Sequence, residues 1–71
     1  MVNEHDATVR KRLFDELRRI HDNRDFIIGV MSNAPHTEDR ETILQFIENG
    51  KDVTKKNLIL LSLQLGNERN N

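Results

Sequence analysis

Two His-Asp pairs, His5-Asp6 and His21-Asp22, together with His36, are the residues of this chain whose types most invite chemistry. Histidines combined with aspartates are what a metal phosphohydrolase centre uses. Such a centre needs several ligands converging from different elements in a protected cavity, with further residues to orient them. Here His5 lies near an end expected to fray and His36 beside Pro35 in a loop, so the three read as ordinary surface histidines and no metal is expected. No G-x-x-x-x-G-K-[ST], H-E-x-x-H, C-x-x-C or G-x-S-x-G is present, and the three glycines stand alone. A chain of 71 residues has little room for a substrate-sized pocket beside a core. Neither a catalytic residue nor a cofactor is expected, and an enzyme is not the reading.

A second group invites nucleic-acid chemistry. Lys51, Thr54, Lys55, Lys56 and Asn57 cluster where a helix should begin, the place where recognition side chains and phosphate-binding amides sit in a helix-turn-helix. Residues 37–65 supply the two helices and the short Gly-containing turn that this motif requires. Against it, the rest of the second helix is very apolar for a major groove, and the first opens on carboxylates. The alternative is that these lysines solvate the end of a buried helix. The basic letters Arg10-Lys11-Arg12 and Arg18-Arg19 scatter around a helical wheel, with acids four residues away: Asp6 with Arg10, Lys11 with Asp15, Arg12 with Glu16, Asp15 with Arg19. They read as a salt-bridged solvent face rather than a phosphate strip.

The elements that must position these residues are helical. Val9, Leu13, Leu17 and Ile20 follow one another at spacings of four, four and three, which is one helical face, bordered by Phe14 and His21. Asp22 or Asn23 breaks that helix and caps the next, which carries Phe26, Ile27, Ile28, Val30 and Met31 around Gly29. A buried strand would fit residues 26–31 almost as well but has no partner strand elsewhere, so helix is preferred. Pro35 forces a break, Thr37 is the expected N-cap of a third helix with Ile43, Leu44, Phe46 and Ile47 inward, and Asn49-Gly50 ends it. Thr54 is expected to cap the last helix, Val53 to staple onto Leu58, and Gly66 to stop it. The expectation is one all-α domain over residues 1–71, a bundle of three to four short helices around one core with Phe14, Phe26 and Phe46 as its aromatics. Residues 1–4 and 67–71 are expected to fray.

The last helix, with Leu58, Ile59, Leu60, Leu61, Leu63 and Leu65, is apolar on nearly every side; only Ser62 and Gln64 interrupt the ring. A bundle helix needs an apolar stripe somewhat wider than ~100°, so one face is surplus. Leu58, Leu61 and Leu65 are assigned to the core, and Ile59, Leu60 and Leu63 to a partner, although the two faces could be exchanged.

Composition agrees with a chain that gains from a partner. A domain this short buries only about 60% of the surface its unfolded form exposes, so oligomerisation would help it. There is no cysteine, which fits a reducing, cytoplasmic compartment, and no apolar run nears the roughly 18 residues of a membrane span. The net charge of −1 is uneven: residues 25–50 hold Arg40 against Asp25, Glu38, Asp39, Glu41 and Glu48. Partners would be steered by patches rather than by overall charge. The functional expectation is a small intracellular adaptor, regulator or assembly subunit acting through protein–protein contact, self-association included. A helix-turn-helix regulator over residues 37–65 is the alternative.

Overall fold

The computed structural model describes residues 4–70; residues 1–3 and 71, and with them most of the expected frayed N-terminus, lie outside that description. Four helices follow one another: α1 (Glu4–Ile20), α2 (Arg24–Asn33), α3 (Thr37–Asn49) and α4 (Lys55–Asn70). No strand occurs among the described residues, so 26–31 resolve as helix and the chain is a small all-α bundle.

Each boundary has a local cause. Glu4 and Asp6 open α1 and Arg18 and Arg19 close it, the signs that the helix dipole favours at each end. The Asn23 side chain accepts a hydrogen bond from Phe26 N at 3.1 Å and so starts α2 after a break of only three residues. Gly50 ends α3 with φ 71°, a left-handed conformation that glycine adopts without a Cβ penalty. Asp52, at φ 57°, completes the turn, and Thr54 Oγ1 accepts from Asn57 N at 3.1 Å to begin α4.

Two boundaries depart from expectation. The N-cap position of α3 is His36, which makes no side-chain capping bond, whereas Thr37 is already helical. Its hydroxyl is engaged elsewhere, donating to Asp6 Oδ1 of α1. A tertiary hydrogen bond has outcompeted the local cap. The second departure is Gly66, which does not stop α4: the helix continues to Asn70. Gly66 serves close approach instead, because a Cβ built there would lie 3.1 Å from the carbonyl oxygen of Asn33 at the end of α2.

The principal packing is between helices that are not neighbours in sequence: α1 lies against α3, and α2 against α4. Leu13, Leu17, Val30, Ile43 and Leu58 are wholly excluded from solvent at the centre, surrounded by Val9, Phe26, Ile27, Ala34, Leu44 and Ile47. Of the three aromatics, Phe26 is buried and Phe46 half-buried, whereas Phe14 is 43% exposed and lies outside the core. Arg40 knits the ends together, its Nε donating to the Ala34 carbonyl at 2.8 Å and its Nη1 lying 4.0 Å from Asp6.

The candidate surface on the last helix

α4 is held on its inner side by Leu58 and, one turn on, by Ser62. Ser62 is completely buried although it is one of only two polar interruptions in the apolar run. Its hydroxyl donates to the Ile59 carbonyl at 2.8 Å and accepts from Asn33 Nδ2 at 3.3 Å, so the burial leaves no polar atom orphaned. A small side chain here and no side chain at Gly66, four residues on, let α4 press onto α2. The inner face is therefore centred between Leu58 and Ser62, with Leu61 and Leu65 half-buried on one flank and Ile59 half-buried on the other.

The outer face follows from that rotation. Leu60 is 52% and Leu63 45% exposed, in agreement with their assignment to the outside. Ile59, assigned with them, instead packs partly against the core, because it stands only one residue round from Leu58. At 100° per residue, Lys56, Leu60, Leu63 and Asn67 share the side opposite the core, which makes two leucines between polar ends.

The residues at the start of α4 are split. Lys51, Lys55 and Lys56 are exposed. Thr54 and Asn57 are committed locally: the Thr54 hydroxyl caps the helix, and Asn57 Nδ2 donates to the Asp52 carbonyl at 2.8 Å. Both hold the α3–α4 turn in shape rather than projecting from it.

Elsewhere, charge is paired mostly between helices. None of the four expected pairs on α1 forms. Arg12 reaches Glu48 of α3 at 2.8 Å, His5 contacts Glu41, Asp6 meets Thr37 and Arg40, and Arg19 folds back three residues onto Glu16 at 2.6 Å. Arg10 and Lys11 have no acidic partner among the described residues. At the far end Arg69 Nε donates to the buried carboxylate of Asp39 at 2.6 Å, and this bond holds the guanidinium above its ordinary range. The histidines are dispersed: His21 meets Phe26 edge-on at 5.6 Å and His36 lies exposed at the start of α3. No group of three or more His, Asp or Glu side chains able to hold a metal converges among the described residues. No helix among them is long and apolar enough to cross a membrane.

A feature not anticipated from the sequence is a groove between α1 and α2, edged by Phe14 and by Ile28, which is 48% exposed. The signal was present in the helical phase: Phe26, Ile27 and Val30 occupy the inner stripe of α2, leaving Ile28 on the other side.

Fold and surface together define a small all-α bundle with apolar side chains left over on two of its faces. The chain matches no protein-family model, no curated protein and no solved structure.

Proposed function

We propose that the protein acts through protein–protein contact, as a small adaptor or assembly subunit that associates with a second copy of itself through the outward face of α4. The observation that carries this reading is the exposure of Leu60 and Leu63 side by side on a helix whose inner face is already satisfied. The register of the face suits a two-fold pairing. When two α4 helices run antiparallel about a point between Leu61 and Ser62, Leu60 of one copy meets Leu63 of the other and Lys56 meets Asn67, so no like charges are opposed. With only two large apolar side chains from each copy, the association is weak and concentration-dependent.

The helix-turn-helix alternative has less support. Lys51, Lys55 and Lys56 are exposed at the start of α4, but Thr54 and Asn57 are spent on the turn. The face that would enter a groove carries the two leucines.

Sedimentation equilibrium over a wide concentration range tests the proposal. The expected result is a reversible monomer–dimer equilibrium that the double substitution Leu60→Ser, Leu63→Ser shifts to monomer with helix content unchanged. A wild-type chain that stays monomeric at millimolar concentration would sink self-association. If the double substitution also unfolded the chain, α4 would be a core element on that face too.

A further inference from the structure

We propose that Asn49 is a site of spontaneous modification, at which the side-chain amide is lost as ammonia and the end of α3 is left as aspartate or isoaspartate. The reaction is intramolecular, between groups already joined by the chain. The backbone nitrogen of Gly50 attacks Cγ of Asn49, the bond from Cγ to Nδ2 breaks, and the departing amide leaves as ammonia with the proton given up by the Gly50 N–H. The five-membered succinimide then takes up one water. Opening at Cγ restores the ordinary peptide bond and gives aspartate; opening at the Asn49 backbone carbonyl leaves the chain running through Cγ and gives isoaspartate. Water is the sole co-reactant.

Three features single out Asn49. It alone of the asparagines precedes a glycine, which has no Cβ to crowd the attacking nitrogen. Its side chain is exposed and has no hydrogen-bond partner among the described residues. By contrast, Asn23 is held as a cap, Asn33 donates to Ser62, and Asn57 donates to the Asp52 carbonyl. Finally, the space beside Gly50 is open, with nothing within 4 Å of where a Cβ would stand. Asn67 is also exposed, but it lies within α4 and precedes Glu68.

The fold slows this reaction without preventing it. Asn49 is the last helical residue of α3, and ring closure needs its backbone turned out of the helical conformation. The attacking nitrogen is also occupied, since Gly50 N donates to the Ile47 carbonyl at 3.0 Å. Beyond it, Thr54 N and Asn57 Nδ2 both donate to the Asp52 carbonyl, at 3.0 and 2.8 Å, and hold the turn closed. An exposed helix end of this kind opens at far smaller cost than the whole domain. The rate at Asn49 therefore reports how often the α3–α4 turn opens. Its product loosens that turn further. Either product puts a carboxylate beside Glu48 at the negative end of the α3 dipole, and isoaspartate also lengthens the backbone by a methylene ahead of α4. The inference stands whether or not the outer face of α4 binds a second copy.

The test follows the full-length chain at mildly alkaline pH over several weeks by intact mass and peptide mapping, beside the same chain unfolded in guanidinium chloride. Expected is a single amide-to-acid exchange at Asn49, with isoaspartate the larger share and a rate that rises with pH, because the attacking nitrogen must lose its proton. The native chain should react about tenfold more slowly than the unfolded one, the factor set by opening of the turn. Asn57→Ala releases the Asp52 carbonyl without touching either reacting group. It should narrow that difference while leaving helix content unchanged by circular dichroism, which the Asn-Gly sequence alone would not give. Asn49→Gln should abolish the exchange, because a glutamine would have to close a six-membered ring. The proposal is overturned if another asparagine reacts first, or if native Asn49 is still intact when the incubation ends. Equal rates in the native and unfolded chains, or a native rate unmoved by Asn57→Ala, also overturn it.

Discussion

Arg69 in the last turn of α4 donates from Nε to Asp39 in the first turn of α3, at 2.6 Å, and its Nη2 reaches Glu38 at 3.4 Å. Asp39 is 93% buried by residue surface, at 7% exposure, whereas the guanidinium is about one-third exposed, so the bond is a surface arginine reaching down to a buried carboxylate. It joins the end of the chain to its middle. Gly66 stands within the last turns of α4, where backbone freedom is greatest, and this bond ties the turn that follows it to α3.

Replacing Arg69 by Ala is therefore expected to fray α4 beyond Gly66 while leaving the core in place. Amide hydrogen exchange should accelerate at residues 67–70 and remain slow at Leu58 and Ser62. The raised guanidinium lies on the alkaline side of its ordinary range, so while Asp39 is ionised its contribution is complete at neutral pH and is lost on the alkaline side only as pH rises through that raised value; no pH dependence from Arg69 is expected near neutrality. Unchanged exchange at residues 67–70 in the variant would show that packing of Leu65 alone holds the end.

The two helical glycines are expected to respond in opposite senses to alanine. Gly29 on α2 has open space where a Cβ would go and no positive φ, so Gly29→Ala should stabilise by about 0.5–1 kcal/mol through the smaller entropy of the unfolded chain. At Gly66 the same intrinsic gain meets the Asn33 carbonyl 3.1 Å away, backbone that cannot swing aside. Urea denaturation should find Gly66→Ala less stable than Gly29→Ala and no better than wild type. Equal stabilisation by both would mean that α2 and α4 are not in close approach there.

Much of the architecture was legible because its signals are local. The spacing of Val9, Leu13 and Leu17, the break at Pro35, and the caps at Asn23, Gly50 and Thr54 depend on neighbours within a few residues. What escaped depends on contacts between helices. Ser62 reads as an interruption of the apolar ring until Asn33 is placed against it, Gly66 reads as a stop until α2 crosses it, and Thr37 reads as a cap until Asp6 takes its hydroxyl. Two of the α1 pairs, Asp6 with Arg10 and Arg12 with Glu16, failed for the same reason. Exposed ion pairs four residues apart are worth only about 0.3–0.5 kcal/mol, so cross-helix partners such as Glu48 for Arg12 readily displace them. On α4 the apolar ring hid its own phase, and the outward position of Leu60 and Leu63 was legible while the packing of Ile59 against the core was not.

Ser62 should tolerate loss of its hydroxyl better than any gain in size. Ser62→Ala removes one partner of Asn33 Nδ2, which is only half-buried and can turn towards water, at a cost of about 1 kcal/mol. Ser62→Leu would restore the leucine pattern of the helix yet add two heavy atoms to a site with no exposure, at about 1–3 kcal/mol. Leu58→Ala sets the scale for the same face at about 2–5 kcal/mol. The order of urea midpoints, Ala at 62 above Leu at 62 and Ala at 58 lowest, checks it. If Ser62→Leu were the most stable of the three, Ser62 would have to face solvent.

Binding to duplex DNA is expected to be weak at physiological salt. Lys51, Lys55 and Lys56 are the exposed cations at the start of α4, and three phosphate contacts give a logarithmic salt slope of only about −2.7, far below the slopes of proteins that hold duplex tightly. Direct readout is also poorly served. The Asn57 amide donates to the Asp52 carbonyl and would have to leave the turn to reach a base edge, and Leu60 and Leu63 offer a groove no hydrogen bond. Electrophoretic mobility shift or anisotropy titrations with random-sequence duplex, at two salt concentrations, should show no submicromolar binding at ~150 mM salt, and Lys55→Ala with Lys56→Ala should change little. Submicromolar affinity there, falling steeply in that double variant, would transfer the function of α4 from protein contact to DNA contact. The leucines of its outer face would then need a covering partner of their own.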